Sequence, residues 1–171
     1  MTTEEKVQQF IREHNLDPAL VERIKMFIGY TDEDILKTTP RQHKSWKAQD
    51  ILNEWFLVAE VVESNNCGAR NNVGDRYVIR SATSLVPEEC TVRFLCTAAI
   101  APISALGMVL YERLAEGVDP RDFAFNEYVY CTDTGVEHGG YGRILMQCRF
   151  EHISEFKSMK GGQAYWTKNK K

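Results

Sequence analysis

The hydrophobic period of this chain changes once, at Glu54, and that change limits the layers it can build. Before it, apolar residues recur at helical spacing. After it, WFLVAEVVE at 55–63 runs without a breaker and is rich in β-branched and aromatic residues, which predicts a strand. Blocks of helices, then strands, then helices, then strands point to an α+β fold rather than a doubly wound parallel sheet.

The first 37 residues carry clear helix punctuation. Thr2 with Glu5 reads as a capping box, and Val7, Phe10 and Ile11 form an i, i+3, i+4 stripe before Asn15. Asp17 caps a second helix with Pro18 at its first position, an apolar face of Leu20, Ile24, Phe27 and Ile28, and Gly29 past its end. Thr31 with Asp34 opens a short third helix that stops before Pro40. These apolar faces must be buried against the rest of the chain or another subunit. Residues 39–52, with Trp46 and a cluster of Arg41, His43, Lys44 and Lys47, read as a connector with a helical turn from Ser45.

Further strands are expected at 75–81, where DRYVIRS alternates, at 125–131 and at 143–153. Pro87, followed by Glu88 and Glu89, suits a helix start, and Pro102 disfavours helix at Ala101. The apolar run therefore divides into two helices, about 87–100 and 102–116. The expected architecture is a helical head (1–53), an α+β core (54–153) with a mostly antiparallel four-stranded sheet packed by two central helices, and a basic aromatic tail (154–171), with a short helix after Ile153.

A length of 171 residues suits one compact domain that needs no disulfides, and 43% apolar with 26% charged residues excludes a disordered or collagen-like chain. The net charge of −3 offers no basic footprint for nucleic acid. The tail differs: from Ile153 onward five lysines face one acid, +4, leaving −7 for residues 1–152. It reads as a solvated basic arm in which Tyr165 and Trp166 suit docking on a neighbouring subunit. MTTEEKVQQF has acids where an export signal would have bases and lacks its apolar stretch, so a cytoplasmic location is expected. Phe94 to Tyr111 is free of charge, but Pro102 and its small residues favour a buried core helix over a membrane span.

The five cysteines (67, 90, 96, 131 and 148) read as thiols, since no export signal accompanies them. None stands in CxxC, and the shortest spacing is Cys90-x5-Cys96. A metal site would have to be assembled by the fold from Cys67, Cys90, Cys96 and Cys131, or with His138 replacing Cys96; buried inert thiols are the simpler expectation. Cys148 shares a strand face with Ile144, Met146 and Phe150, which suits core. Cys90, at an expected helix start, is the candidate reactive thiol, although Glu88 and Glu89 oppose a thiolate.

Two connections gather polar groups. The glycine-rich TDTGVEHGGYG at 132–142 offers His138 with Asp133 or Glu137 as a general acid and base, and Tyr141 as a ligand contact. A strand follows it rather than a helix, so it does not read as a phosphate loop. SNNCGARNNVG at 64–74 offers Asn66 and Arg70 as ligand contacts, with Asn71, Asn72 and Asp75 nearby. Both also serve as ordinary connections. Any function argued from them requires the two to meet at one end of the sheet.

Residues 58–153 resemble a family of small, uncharacterised, cysteine-containing bacterial proteins. The shared features are VAEVVES followed by a cysteine, VGDRYVI at 73–79, PEEC…CTAAIAP, and YCTDTGVEHGGYGRILMQCRF at 130–150. The resemblance implies a role in anaerobic catabolism and a metal or prosthetic group on Cys67, Cys90, Cys96 and Cys131. Three functions follow in order: a small ligand-binding or accessory subunit of a catabolic enzyme; a stand-alone lyase or isomerase using His138; and a thiolate metal protein. The expected partner is a small polar molecule or another enzyme subunit, in a homo-oligomer, with neither nucleic acid nor membrane. No motif names a cofactor.

Overall fold

A computed structural model describes residues 1–159 of the chain. Tail residues Lys160, Gly161, Gly162, Tyr165, Trp166, Lys168, Lys170 and Lys171 lie outside the described residues, and so does the docking role read from them. Where length argued for one domain, the contacts divide the chain into two compact units, Met1–Gln49 and from Asp50 onward.

The first unit holds α1 (Thr3–Glu13), α2 (Pro18–Ile28), α3 (Asp32–Ile35) and most of α4 (Pro40–Leu52). Its caps are those its residues announce. Thr2 and Glu5 close a capping box, Asp17 accepts from Ala19 N–H, Gly29 turns left-handed at φ 79°, and Thr31 and Asp34 close a second box. The helical faces are covered within the unit only in part: Phe27 and Ile28, expected on the apolar face of α2, are 79% and 55% exposed. Val7, Ile11, Leu20, Val21, Ile24, Ile35 and Trp46 form the unit's own core. The expected connector is instead the 13-residue helix α4. It lacks an apolar period, but Thr39 and Gln42 cap it reciprocally (Thr39 N–H to Gln42 Oε1 2.8 Å; Gln42 N–H to Thr39 Oγ1 3.4 Å) and Trp46 anchors it.

The second unit is built on one antiparallel sheet of five strands in the order β3-β2-β1-β5-β4. Its strands are β1 (Trp55–Asn65), β2 (Arg76–Arg80), β3 (Ser84–Leu85), β4 (Tyr128–Tyr130) and β5 (Arg143–His152). The two-residue β3 is the strand that a four-stranded reading leaves out. β1 is central, paired with β2 by Val58↔Val78 and with β5 by Ala59↔Cys148. Alternation then sorts the faces. Phe56, Val58 and Val78 share one face with Val86, Ile153 and Phe156, the two phenylalanine rings stacking at 3.9 Å. Leu57, Ala59, Tyr77, Ile79, Met146 and Cys148 are buried on the other.

The two expected central helices are one helix, α5 (Thr97–Ala115), preceded by a single 3-10 turn at Pro87–Glu89. Cys90 after that turn is extended and Thr91 is tied to β2: Thr91 N–H donates to Arg76 O, and Arg76 N–H to Thr91 Oγ1 (2.9 Å). Pro102 lies inside α5 without ending it. Ala99, Ile103, Gly107, Leu110 and Leu114 make its buried stripe. A side chain at Gly107 would collide with the carbonyl of Ala82, so this crossing requires glycine. Among the described residues α5 is the one helix long and apolar enough to cross a membrane by length and composition.

After β5 the chain turns at residues 153–155 and no helix follows among the described residues. The start of the tail is fixed by Glu89, which is fully buried. Its carboxylate receives Ser158 Oγ (2.5 Å), Met159 N–H (2.7 Å) and Arg76 Nη2 (3.3 Å). Arg76 also donates to Lys157 O.

Candidate functional site

Three segments of the second unit meet on the Tyr77 side of the sheet and enclose a recess of 320 Å³. The β1–β2 connection supplies Cys67, Ala69 and Asn71; the start of α5 supplies Cys96, Ala98 and Ala99; the β4–β5 connection supplies Cys131, Asp133 and Tyr141. Ile144 of β5 completes the wall.

Each segment is held there by local bonds. In the first connection Asn66 and Arg70 take left-handed backbone (φ 51° and 56°) and Arg70 N–H closes a turn on Cys67 O at 3.0 Å. Ser64 Oγ donates to Asn71 O at 2.6 Å, which turns Asn71 inward until it is 2% exposed. In the second, Cys96 is the N-cap of α5 and its side chain makes no capping bond. In the third, Cys131 N–H donates to Ile144 O (3.1 Å) and Ile144 N–H to Cys131 Sγ (3.4 Å). Asp133 Oδ1 accepts from Gly135 N–H (2.9 Å) and its Oδ2 from Tyr141 N–H (3.5 Å). A side chain at Gly142 would run into Asn65 O, and one at Gly140 into Asp133; glycine lets the two connections close on each other.

Tyr77 stands behind the recess. Its hydroxyl receives Asn71 Nδ2–H at 2.7 Å. Burial pushes the phenol up to about 12 against the lowering effect of the Asn71 bond, so the hydroxyl keeps its proton at neutral pH. The other amide atom, Asn71 Oδ1, is buried without a hydrogen-bond partner. The wall carries one carboxylate, Asp133, and among the described residues no Lys, Arg or His.

The remaining candidate residues are dispersed. Cys90 lies at the opposite face, packed against the Phe56 cluster, with Sγ bonded to Val78 N–H and Val86 O at 3.3 Å each. Burial pushes its thiol up. It is not at the helix start that would have activated it, and it does not join Cys67, Cys96 and Cys131. Among the described residues, no group of three or more His, Cys, Asp and Glu is arranged to hold a metal ion. Cys148 is core, its thiol pushed up to about 12 by burial. His138 is exposed on the 3-10 turn Val136–His138 and lines neither the recess nor the adjoining groove. That groove, 240 Å³, is lined by Glu137, Asn66, Glu63 and Arg143, with Tyr141 as the wall it shares with the recess. Arg70 is exposed and lines neither.

Sequence reasoning did not single out Tyr77 and Ala98, and it named Asn71 only as one of several donors and acceptors around Cys67. A signal existed for Tyr77: the alternation of DRYVIRS places a phenol on the apolar side of a strand, where its hydroxyl needs a partner. Asn71 carried no mark to separate it from the asparagines beside it. No family model matches the chain, and neither a curated protein nor a solved structure shows significant similarity to it.

Proposed function

We propose that the chain is a small-molecule-binding protein, acting as an accessory subunit of a catabolic enzyme system, and that its ligand occupies the recess between Cys67, Cys96 and Cys131. The observation that carries this reading is Asn71 Oδ1. A buried acceptor without a donor costs about 1–3 kcal/mol, and native chains rarely retain one without a use. This one belongs to Asn71, a residue that lines the 320 Å³ recess. The mixture of apolar wall and a few converging polar groups is what a ligand site needs.

Protein-observed NMR with a fragment library tests it. Fragments are expected to shift the amides of Cys67, Asn71, Ala98 and Cys131 together, and Ala98→Phe, which fills the recess, is expected to abolish those shifts in a folded protein. Fragment shifts that never involve these residues overturn the reading.

A further inference from the structure

The polar groups of the recess differ in character, and that difference selects a ligand. Resting on the binding role proposed above, we infer that the recess takes a neutral carboxamide, its carbonyl on the start of α5 and its N–H on Asn71 Oδ1, with an apolar body against the thiols.

The acceptor end of such a group has donors to meet. Ala99 and Ile100 make the first bonds of α5, both to Cys96 O (3.1 and 3.0 Å), so the N–H groups of Thr97 and Ala98 precede the helical ladder. The Cys96 side chain does not cap them. An oxygen at this end gains from the positive pole of a 19-residue helix. The donor end meets Asn71 Oδ1, which is buried and without a partner. A single group presenting an acceptor and a donor side by side answers both demands.

Charged alternatives fit less well. A carboxylate ligand would gain from the helix start, but it would face Asp133 with no cation in the wall, and it has no proton for Asn71 Oδ1. A cation would satisfy Asn71 but would point positive charge at the positive end of α5, and both Asp133 oxygens are already held by the N–H groups of Gly135 and Tyr141. Ala69, Ala98 and Ile144 give the apolar body its surface, and thiols pack against aromatic or aliphatic groups as small apolar side chains do.

Three probes that share a ring and differ in head group separate these cases: benzamide, benzoate and benzamidine, titrated into the full chain and followed by amide shifts. Benzamide is expected to bind at least tenfold more tightly than either charged probe, with shifts at Asn71 and Ala98. Asn71→Leu is expected to weaken benzamide at least tenfold, and Ala98→Phe to remove it. If benzoate or benzamidine binds the recess as tightly as benzamide, or if no library fragment that binds there is a carboxamide, the carboxamide assignment fails while the recess survives as a binding site. If no fragment of any class shifts the recess, both fail together.

Discussion

Thr132 bonds to the carbonyl that Pro102 leaves free. Pro102 has no N–H for the carbonyl of Ala98, four residues earlier, and that oxygen instead accepts the N–H of Thr132 at 2.9 Å and its hydroxyl at 3.3 Å. The bond fixes the β4–β5 connection, and with it Cys131 and Asp133, to the first turn of α5. Pro102→Ala restores a competing helical donor. The Thr132 amide is then expected to exchange with solvent about tenfold faster, the effect of losing roughly 1.4 kcal/mol of a shared bond. Unchanged protection of Thr132 would show that the proline does not set this contact.

The Glu89 carboxylate is expected to be a large single contributor to the stability of the second unit. Removing it leaves the Arg76 guanidinium, whose side chain is 15% exposed, without its ion pair, and takes away the bonds that Ser158 Oγ and Met159 N–H make to it. Glu89→Ala is expected to cost about 3–5 kcal/mol by urea denaturation, the range for breaking a buried pair from one side. A loss below about 1 kcal/mol would mean that the pair is solvated in solution.

The helical unit should weaken in mild acid. Thr38 Oγ1 donates to Ile35 O at 2.6 Å, so the 2.9 Å contact to His43 Nε2 is made by the imidazole N–H, and Nδ1 carries no proton. His43 is 4% exposed beside Phe10, His14 and Trp46. Burial first, then the charges of His14 and Lys47, lower its pKa. The fold therefore favours neutral His43. Its contribution is complete above the unfolded value of about 6.5 and falls away as pH drops below it. Protection factors in α1 of the full chain, which correct for the slower intrinsic exchange in acid, are expected to fall between pH 7 and 5, and His43→Gln to flatten that dependence. Wild-type protection factors that do not change with pH would contradict the assignment.

The thiols should divide into two classes. Cys148 and Cys90 are held up by burial and should resist iodoacetamide at pH 7.5. Cys67, Cys96 and Cys131, half-buried around the recess, should be labelled first, as peptide mass spectrometry would show. Early labelling of Cys90 would contradict its placement against Phe56 and Val78.

Much of this molecule was legible in local sequence. Caps at Thr2, Asp17 and Thr31 state their partners within three residues, and the alternation around Val58 and Val78 fixes which faces are buried. The misread elements are those decided at long range. Pro102 ends a helix when its lost bond goes unanswered; here the answer comes from Thr132, thirty positions away. Residues 90–91 look helical beside Glu88 and Glu89, but Arg76 holds Thr91 against a strand edge. The site was half legible for the same reason. Cysteines and a glycine-rich connection mark two of its walls, whereas the isolation of Asn71 Oδ1 depends on Tyr77, Ser64 and the packing of the second unit together.

Asn71→Leu examines the binding role through a contrast between stability and affinity. Leucine keeps the branched shape of asparagine and removes the unpaired oxygen together with the amide bond to the Tyr77 hydroxyl. The variant is expected to unfold within about 1 kcal/mol of wild type, since one orphaned acceptor offsets one lost amide bond, while losing at least tenfold in affinity for fragments that bind the recess. A variant that unfolds at least 3 kcal/mol more easily yet binds those fragments as the wild type does would show that Asn71 is a structural residue and that the recess is not where this protein acts.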